Sequence, residues 1–338
     1  MDVWSISVTA VVGFLITFGS GFLVIPELKK LKFGQTILDI GPAWHKKDKQ
    51  GTPTMGGLMF IIGSVAAFAV GLVMLYTTGQ LKVEGAELVH FYDAVSGVIM
   101  AVFFGLVGFL DDFIKIKKKQ NEGLTPNQKI ILQVLIIAAY FTVNYIAGDT
   151  RTTINFPFIG QIDLWLFYYI LVGLGMLYLV NAVNLTDGID GLCTSVTFNY
   201  CMAFVVICAL IQLTGLQTLG VAVGGSLLGF LIWNAHPAKV FMGDTGSLFL
   251  GGIVCALGVG AGVEVIMVVC SVVYIWEALS VLIQMTYFKI THGKRLFKMT
   301  PIHHSFEIRG WSEKKIDAVF ALIALFCGAL GVLMVFGL

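Results

Sequence analysis

Long apolar runs separated by short polar segments extend along the whole chain of 338 residues. With the Gly and Ser residues that flank them, ten of these runs reach roughly 14 to 25 residues, a length typical of membrane-spanning helices. They begin near Val3, Thr54, Ala94, Ile130, Leu164, Leu192, Leu219, Leu248, Val265 and Ile316. Because no linker or repeat divides them, the pattern predicts an all-α polytopic membrane protein with a single domain, residues 1–338.

Two segments need a separate interpretation. The first run, from Val3 to about Ile25, lacks the basic N-terminal flank of a secretory signal and is long enough to span, so we expect it to stay in the mature protein. Residues 148–163 alternate apolar and polar positions around Pro157 and Gly160. This alternation predicts a short β-hairpin in an outer connection.

The basic residues predict the orientation of the spans. Threading the spans alternately gives one set of connections at 29–52, 111–129, 181–191, 235–246 and 289–315, and a second set at 79–93, 148–163, 212–218 and 261–264. The first set contains 19 of the 21 Lys and Arg residues, because only Lys82 and Arg151 lie in the second. The positive-inside rule therefore places the first set in the cytoplasm, and ten spans place both termini outside.

Composition excludes a water-soluble globule, since 57% of the residues are hydrophobic and only 12% are charged. The net charge of +1 indicates no partner, and nothing in the sequence indicates nucleic acid binding. The six cysteines lie in apolar runs without CxxC spacing, which predicts small buried side chains rather than disulfides or metal ligands. The oligomeric state is open, with a homodimer as one alternative.

The polar stretch 181–191 lies between two apolar runs, at a predicted membrane boundary where carboxylates are functional candidates. Side chains three residues apart precess by about 60° on a helix, so Asn181, Asn184 and Asp187 can share one face while Asp190 leaves it. Gly188 and Gly191 predict that the helix unwinds there, turning both acids toward the asparagines. The alternative is a polar helix end with a glycine stop.

Other polar groups occur in the remaining predicted inner segments. Asp111 and Asp112 precede several lysines, an arrangement that can bind Mg²⁺ or tune a base, although a solvated helix end is the alternative. The lysines before the turn 51–57 suit a phosphate-facing loop or serve only as topology signals. Asp244 lies close between two glycines, and Phe241 is either a platform for a planar ring or a bilayer anchor.

Two histidines and one buried acid complete the candidates. His303 and His304 are adjacent and have no Cys or third His nearby in sequence, which argues against zinc and favours phosphate binding or proton transfer. Glu277 falls within the apolar run 265–288. A carboxylate there predicts a protonated or paired group, or a broken helix that admits water.

Five motifs together resemble a known family. They are Gly-Thr-Pro-Thr-Met-Gly-Gly at 51–57, Asp-Asp-x-x-Lys at 111–115, Asn-x-x-Asn-x-x-Asp-Gly-x-Asp-Gly at 181–191, Gly-Asp-Thr-Gly-Ser at 243–247 and Pro-Ile-His-His at 301–304. In this order they resemble the phospho-N-acetylmuramoyl-pentapeptide transferases, within the polyprenyl-phosphate sugar-1-phosphate transferases. The resemblance implies ten transmembrane helices, an active site on the cytoplasmic face and a multi-pass protein of the bacterial plasma membrane.

The resemblance also implies a reaction and its residues. UDP-N-acetylmuramoyl-pentapeptide and undecaprenyl phosphate, meeting at the lipid bilayer, would give lipid I and UMP in an Mg²⁺-dependent transfer that serves cell wall synthesis. Asp111, Asp112, Asp244 and His303 would be catalytic, with Asp244 as the metal ligand. The implied substrate-binding positions are Lys49, Thr54, Lys115, Lys119, Lys129, Asn181, Asn184, Asp187, Asp190, Asn234, Phe241, Gln284 and His304.

The sequence departs from the family pattern at two places. Many members have three consecutive histidines where this chain has His303, His304 and Ser305, and the spacing from His45 to Gly51 is one residue longer than usual. Two other functions remain as alternatives. An N-acetylglucosamine-1-phosphate transferase would share the aspartates, whereas a secondary transporter would show paired halves with matching broken helices, which this sequence lacks.

Overall fold

The computed structural model describes residues 1–30, 51–80, 86–118 and 122–338. In these ranges the chain forms twelve α-helices, two short strands and a final 3₁₀ turn, Val335–Gly337. The helices are α1 (Val3–Lys30), α2 (Gly57–Thr77), α3 (Ala86–Lys118), α4 (Pro126–Ile146), α5 (Phe167–Thr186), α6 (Leu192–Leu210), α7 (Thr214–Asn234), α8 (Gly243–Gly260), α9 (Glu264–Cys270), α10 (Val272–Ile290), α11 (Ile302–Ile308) and α12 (Glu313–Met334).

The predicted spans appear as helices in the predicted order. Within the described part of the chain, nine helices, α1 to α8 and α12, are long and apolar enough to cross a membrane. The run that begins near Val265 is instead broken at Ser271 into α9 and α10, which are bent by 74° and make a tenth span only if they are taken together. The mostly helical membrane fold is confirmed, whereas the count of ten stays a prediction.

Local sequence explains where several helices begin and end. Thr125 and Gln128 form a capping box before α4, with Pro126 at its first position, and Ser312 caps α12 by accepting from the backbone N–H of Lys315. Between α5 and α6, Gly191 has a φ of +81°, a conformation that favours glycine. The predicted break in the 181–191 stretch is therefore present.

Helix α8 lies at the centre of the bundle, since every residue from Thr245 to Gly260 is buried. Its main neighbours are α3, α5 and α2. Glycines allow the close approach of α3: a Cβ on Gly108 would overlap the backbone carbonyl of Asp244, and one on Gly97 would lie 2.7 Å from the Ala256 Cβ. The beginning of α8 is thus pressed against the C-terminal part of α3.

The predicted β-hairpin is also present. Strand β1 (Thr153–Phe156) pairs antiparallel with β2 (Gly160–Asp163). The backbone N–H of Phe158 donates to the Gly337 carbonyl at 2.7 Å, and the amino group of Met1 donates to Gln217 Oε1 at 3.2 Å. Both termini therefore lie beside predicted outer connections. The side of the membrane on which they lie stays a prediction, and so does a homodimer.

A partly buried charge network joins several segments at this end of the bundle. Arg151 donates to both carboxylate oxygens of Asp149, at 2.7 and 2.6 Å, and its Nη2 lies 3.4 Å from Asp93 Oδ2. Burial acts to raise the pKa of Asp149, but the Arg151 guanidinium lowers it below its ordinary value. All six cysteines are buried and unpaired, as predicted.

Candidate active site

Three carboxylates meet where the C-terminal part of α3 contacts the first turn of α8. Asp111 and Asp112 lie on α3 and are almost fully buried, with 1% and 4% of their surface exposed. Asp244 is the second residue of α8. One oxygen from each carboxylate lies within 4.8 Å of the other two. The close helix packing at Gly108 thus brings together acids from two distant motifs.

Asp112 anchors the beginning of α8. Its Oδ2 accepts from the backbone N–H of Thr245 at 2.9 Å and from the Thr245 hydroxyl at 2.7 Å, while Oδ1 accepts from the backbone N–H of Asp244 at 3.3 Å. A carboxylate at a helix N-terminus satisfies unpaired N–H groups and interacts favourably with the helix dipole. Both oxygens of Asp112 therefore help to position Asp244. The sequence, in which Asp112 simply follows Asp111, does not indicate this role.

Asp111 and Asp244 share two lysines. Lys115 Nζ lies 2.6 Å from Asp111 Oδ2 and 3.0 Å from Asp244 Oδ2, and Lys129 Nζ lies 3.2 and 2.7 Å from the same two oxygens. Asp111 Oδ1 accepts from the backbone N–H of Leu124 at 2.8 Å. The two lysines thus oppose the negative charge of the carboxylates in a partly buried position.

One of the two α5 asparagines contacts this cluster. Asn184 Nδ2 donates to Asp244 Oδ1 at 2.9 Å and to Ser247 Oγ at 2.8 Å. Asn181, one turn earlier, exchanges hydrogen bonds with the fully buried Gln133 of α4, the shorter at 2.8 Å. Asn184 thus orients the Asp244 carboxylate, and Asn181 ties α5 to α4.

The 51–57 turn packs against the approach to α8. The backbone N–H of Gly56 donates to the Phe241 carbonyl at 2.8 Å, and that of Phe241 donates to the Pro53 carbonyl at 2.9 Å. At Gly243, where φ is +69°, a Cβ would lie 2.6 Å from both Thr54 Oγ1 and Asp112 Oδ2. Thr54 is therefore next to the carboxylate cluster.

Asn234 is buried and holds the loop that carries Phe241. Its Oδ1 accepts from the Thr194 hydroxyl at 2.7 Å, and its Nδ2 donates to the Val240 carbonyl at 3.0 Å. Phe241 itself is half-buried beside these contacts. The structure thus gives Asn234 a supporting contact to the Phe241 loop.

The two acids of the 187–191 turn have different surroundings. Asp187 ends α5, and its backbone N–H donates to the Asn184 carbonyl at 3.3 Å. Asp190 Oδ2 instead lies 3.0 Å from His236 Nδ1 and accepts from the backbone N–H of Ala238 at 3.0 Å. We expected Asp190 to turn back toward the asparagines of α5. In the structure its Oδ2 instead contacts the loop after α7, which supplies both of these partners.

The histidine motif lies on α11. His303 is fully buried and its Nδ1 lies 2.9 Å from Glu277 Oε2, while His304 Nδ1 lies 2.6 Å from Glu307 Oε2. Glu277 is thus a paired carboxylate, as one of the expectations for it stated. Gln284 Oε1 accepts from the backbone N–H groups of Leu296 and Phe297, at 3.0 and 2.9 Å, and fixes the chain that returns to α11.

Two predicted binding residues, Lys49 and Lys119, lie outside the described residues. Conversely, sequence reasoning missed several polar groups of the site. They are Gln133, Thr245, Ser247, His236 and Glu313, whose Oε2 accepts from the backbone N–H of Asp190 at 3.1 Å. Gln133 could have been found as a lone amide within an apolar run, but the partners of the others depend on tertiary packing.

Comparisons with known proteins show which family the chain belongs to. The family model for glycosyl transferase family 4 matches residues 94–262, and signature 1 of phospho-N-acetylmuramoyl-pentapeptide-transferase matches residues 49–61. A phospho-N-acetylmuramoyl-pentapeptide-transferase of Clostridium perfringens is 46% identical over 319 residues, covering 94% of this chain and 95% of the relative. The chain belongs to the phospho-N-acetylmuramoyl-pentapeptide-transferase family.

Two further relatives in this family have similar coverage. The transferase of Listeria monocytogenes is 41% identical, covering 96% of both chains. That of Staphylococcus carnosus is 38% identical, covering 96% of this chain and 98% of the relative. Membership of the phospho-N-acetylmuramoyl-pentapeptide-transferase family confirms the resemblance inferred from the five motifs.

The carboxylate cluster fits a hard divalent cation. Mg²⁺ prefers carboxylate oxygens and usually takes only one or two from protein. Asp112 already accepts from α8 through both oxygens, whereas Oδ2 of Asp111 and Oδ2 of Asp244 both face the lysine ammonium groups. A position that attracts positive charge therefore exists between Asp111 and Asp244.

Proposed function

We propose that this protein is the bacterial plasma-membrane enzyme that transfers phospho-N-acetylmuramoyl-pentapeptide from its UDP-linked form to undecaprenyl phosphate. The products are lipid I and UMP. The observation that carries this assignment is the cluster of Asp111, Asp112 and Asp244 with two lysines and Asn184, formed where the family's motifs converge. Such a cluster suits the joining of two anions, because phosphoryl transfer depends mainly on positioning and charge neutralisation.

The reaction exchanges one phosphorus–oxygen bond for another. An oxygen of the lipid phosphate bonds to the β-phosphorus of the sugar nucleotide, and the bond from that phosphorus to the bridging oxygen breaks, releasing UMP. Lys115 and Lys129 are placed to bind the phosphate oxygens as they change partners. Asp111 is the candidate base that takes the remaining proton of the lipid phosphate.

Asp244 would hold Mg²⁺, with Asp111 beside it as the candidate base. When bound, this cation would neutralise charge on the phosphate oxygens. The protein supplies the rest of the arrangement: Asn184 orients Asp244, and Asp112 fixes the first turn of α8 through Thr245. The lipid enters laterally from the bilayer, whereas the nucleotide comes from the cytoplasm.

Transfer of radiolabel from the UDP-sugar to an extractable lipid tests the proposed function. Purified protein with undecaprenyl phosphate and Mg²⁺ is expected to consume UDP-N-acetylmuramoyl-pentapeptide, release UMP and make little use of UDP-N-acetylglucosamine. Asp163→Asn, in the exposed hairpin, is the control and should retain activity. Preference for UDP-N-acetylglucosamine would indicate the related transferase, and uptake of label into proteoliposomes without lipid product would indicate a transporter.

Phe241→Ala is expected to weaken nucleotide use. If the ring stacks on uracil, its loss should raise KM for the UDP-substrate by an amount equivalent to about 0.5–1.5 kcal/mol, with kcat little changed. Steady-state kinetics at saturating lipid measures KM and kcat separately. Phe158→Ala, whose exposed ring lies in the hairpin, controls for the loss of an aromatic side chain. An unchanged KM would instead support a bilayer anchor.

A further inference from the structure

Glu277 has no role in the proposed reaction, and it forms a pair with His303. Both side chains are fully buried, and the 2.9 Å contact from Nδ1 to Oε2 joins α10 to α11. A buried carboxylate is unfavourable unless it is paired, so this contact accounts for an acid within a membrane-spanning run. The 74° bend between α9 and α10 and the Gln284 contacts to the returning chain place the two residues together.

The second ring nitrogen of His303 points at the turn between α5 and α6. Nε2 is buried and has no hydrogen-bond partner among the residues that the structure describes. It lies directly against Gly188, because a Cβ on Gly188 would overlap Nε2. An unpaired buried nitrogen is unfavourable. Its direction toward the 187–191 turn therefore indicates a partner that arrives with the substrate.

Glu277 determines which proton the ring offers. When Nδ1–H donates to the carboxylate, the tautomer is fixed and any second proton resides on Nε2. An imidazolium beside the turn would donate a hydrogen bond to the anionic nucleotide, whereas a neutral ring with Nδ1–H would present only a lone pair.

We infer that Glu277 is a positioning residue, which holds His303 in the orientation and protonation state that donates from Nε2 to the sugar nucleotide at the 187–191 turn. This inference rests on the proposed function. The His304 ring centroid lies 4.1 Å from that of His303. His304 Nδ1 contacts Glu307, so the partner of His303 Nδ1 is Glu277 and not His304.

Other titratable groups lie on α10 and α11 or on the segments that contact them, and they contribute to any pH profile. They are Asp187 and Asp190 in the turn, His304 and Glu307 on α11, Glu313, Lys314, Lys315 and Asp317 on α12, and Lys289 at the end of α10. Because these groups stay in place when Glu277 is changed, a difference between variant and wild type reports the pair itself.

The pH dependence of kcat/KM for the nucleotide tests the inference. Loss of the carboxylate should make His303 lose its donor proton at lower pH, so Glu277→Gln is expected to move the basic limb down by about one pH unit or more. It should also lower kcat/KM at neutral pH by roughly tenfold or more. The basic limb is chosen because the lipid phosphate loses its second proton near pH 6.

Three further variants complete the experiment. Glu277→Asp keeps the carboxylate and should restore the limb at least in part. In a His303→Ala background, Glu277→Gln should cause no additional loss. The control Glu264→Gln removes another buried carboxylate, which accepts from Tyr168 at 2.6 Å near the hairpin, and should leave the limb in place.

The outcomes separate this inference from the proposed function. Inactive wild type would overturn the function itself. With active wild type, a rate loss in Glu277→Gln that is equal at every pH, or additive losses with His303→Ala, would overturn the positioning role. If both Glu277 variants fail to fold, as judged by thermal unfolding, the carboxylate is structural and the inference is likewise wrong.

Discussion

Replacement of Asp244 by Asn is expected to abolish lipid I formation, lowering turnover at least about a hundredfold, in a protein that remains folded. Asp244 is the carboxylate oriented by Asn184 and placed at the start of α8, and the loss of its charge should weaken Mn²⁺ or Mg²⁺ binding. The fold should survive because Asp112, which holds the first turn of α8 through Thr245, is unchanged. Paramagnetic resonance of Mn²⁺ with purified variants, beside activity, measures both effects.

Asp111→Asn provides the matched comparison on the opposite helix. It should also abolish turnover, because the candidate base is lost, but with metal affinity largely kept. Both variants leave Lys115 and Lys129 with one shared carboxylate, so the change in local charge is the same. Normal Mn²⁺ binding by Asp244→Asn together with weak binding by Asp111→Asn would exchange the metal and base assignments.

Gly108→Ala is expected to lower the stability of the folded protein strongly, although it adds only one methyl group. Its Cβ would overlap the Asp244 carbonyl and lie 2.6 Å from the Thr245 backbone nitrogen, and neither backbone atom can rotate away. Overpacking of this kind typically costs about 1–3 kcal/mol, and here it also displaces the start of α8 from Asp112. We expect a lower unfolding temperature and little activity.

Gly175→Ala is the control for this prediction, because no atom would lie within 4 Å of its new Cβ and alanine favours a helix. Thermal unfolding and the transfer assay on both variants measure the difference. A Gly108→Ala protein with wild-type stability and turnover would show that α3 and α8 are not held as closely as the structure indicates.

The sequence predicted the helices well but not the roles of neighbouring acids. Each long apolar run favours a helix through its own residues, which is why the order of the helices agrees with the prediction, and the alternating pattern of 148–163 likewise predicted the hairpin. Asp111 and Asp112, however, differ by about 100° around α3, and only the position of α8 decides that one faces the lysines and the other caps a helix.

Contacts between distant segments are the second feature that the sequence did not predict. The motif order placed Asp244 near Asp111 through family resemblance, but the pairing of Asn181 with Gln133 and of His303 with Glu277 depends on how α4 and α10 pack. A buried amide or acid in an apolar run signals that some partner exists. It does not identify the partner, because helices of any separation in sequence can supply it.

The burial of every cysteine makes the native protein a poor substrate for thiol reagents. As the bundle unfolds, the six thiols on α6, α8, α9 and α12 become accessible. A dye that fluoresces on reaction with thiols would therefore report unfolding through the native cysteines, without an engineered one. The same property lets a single engineered surface cysteine be modified selectively in the folded enzyme.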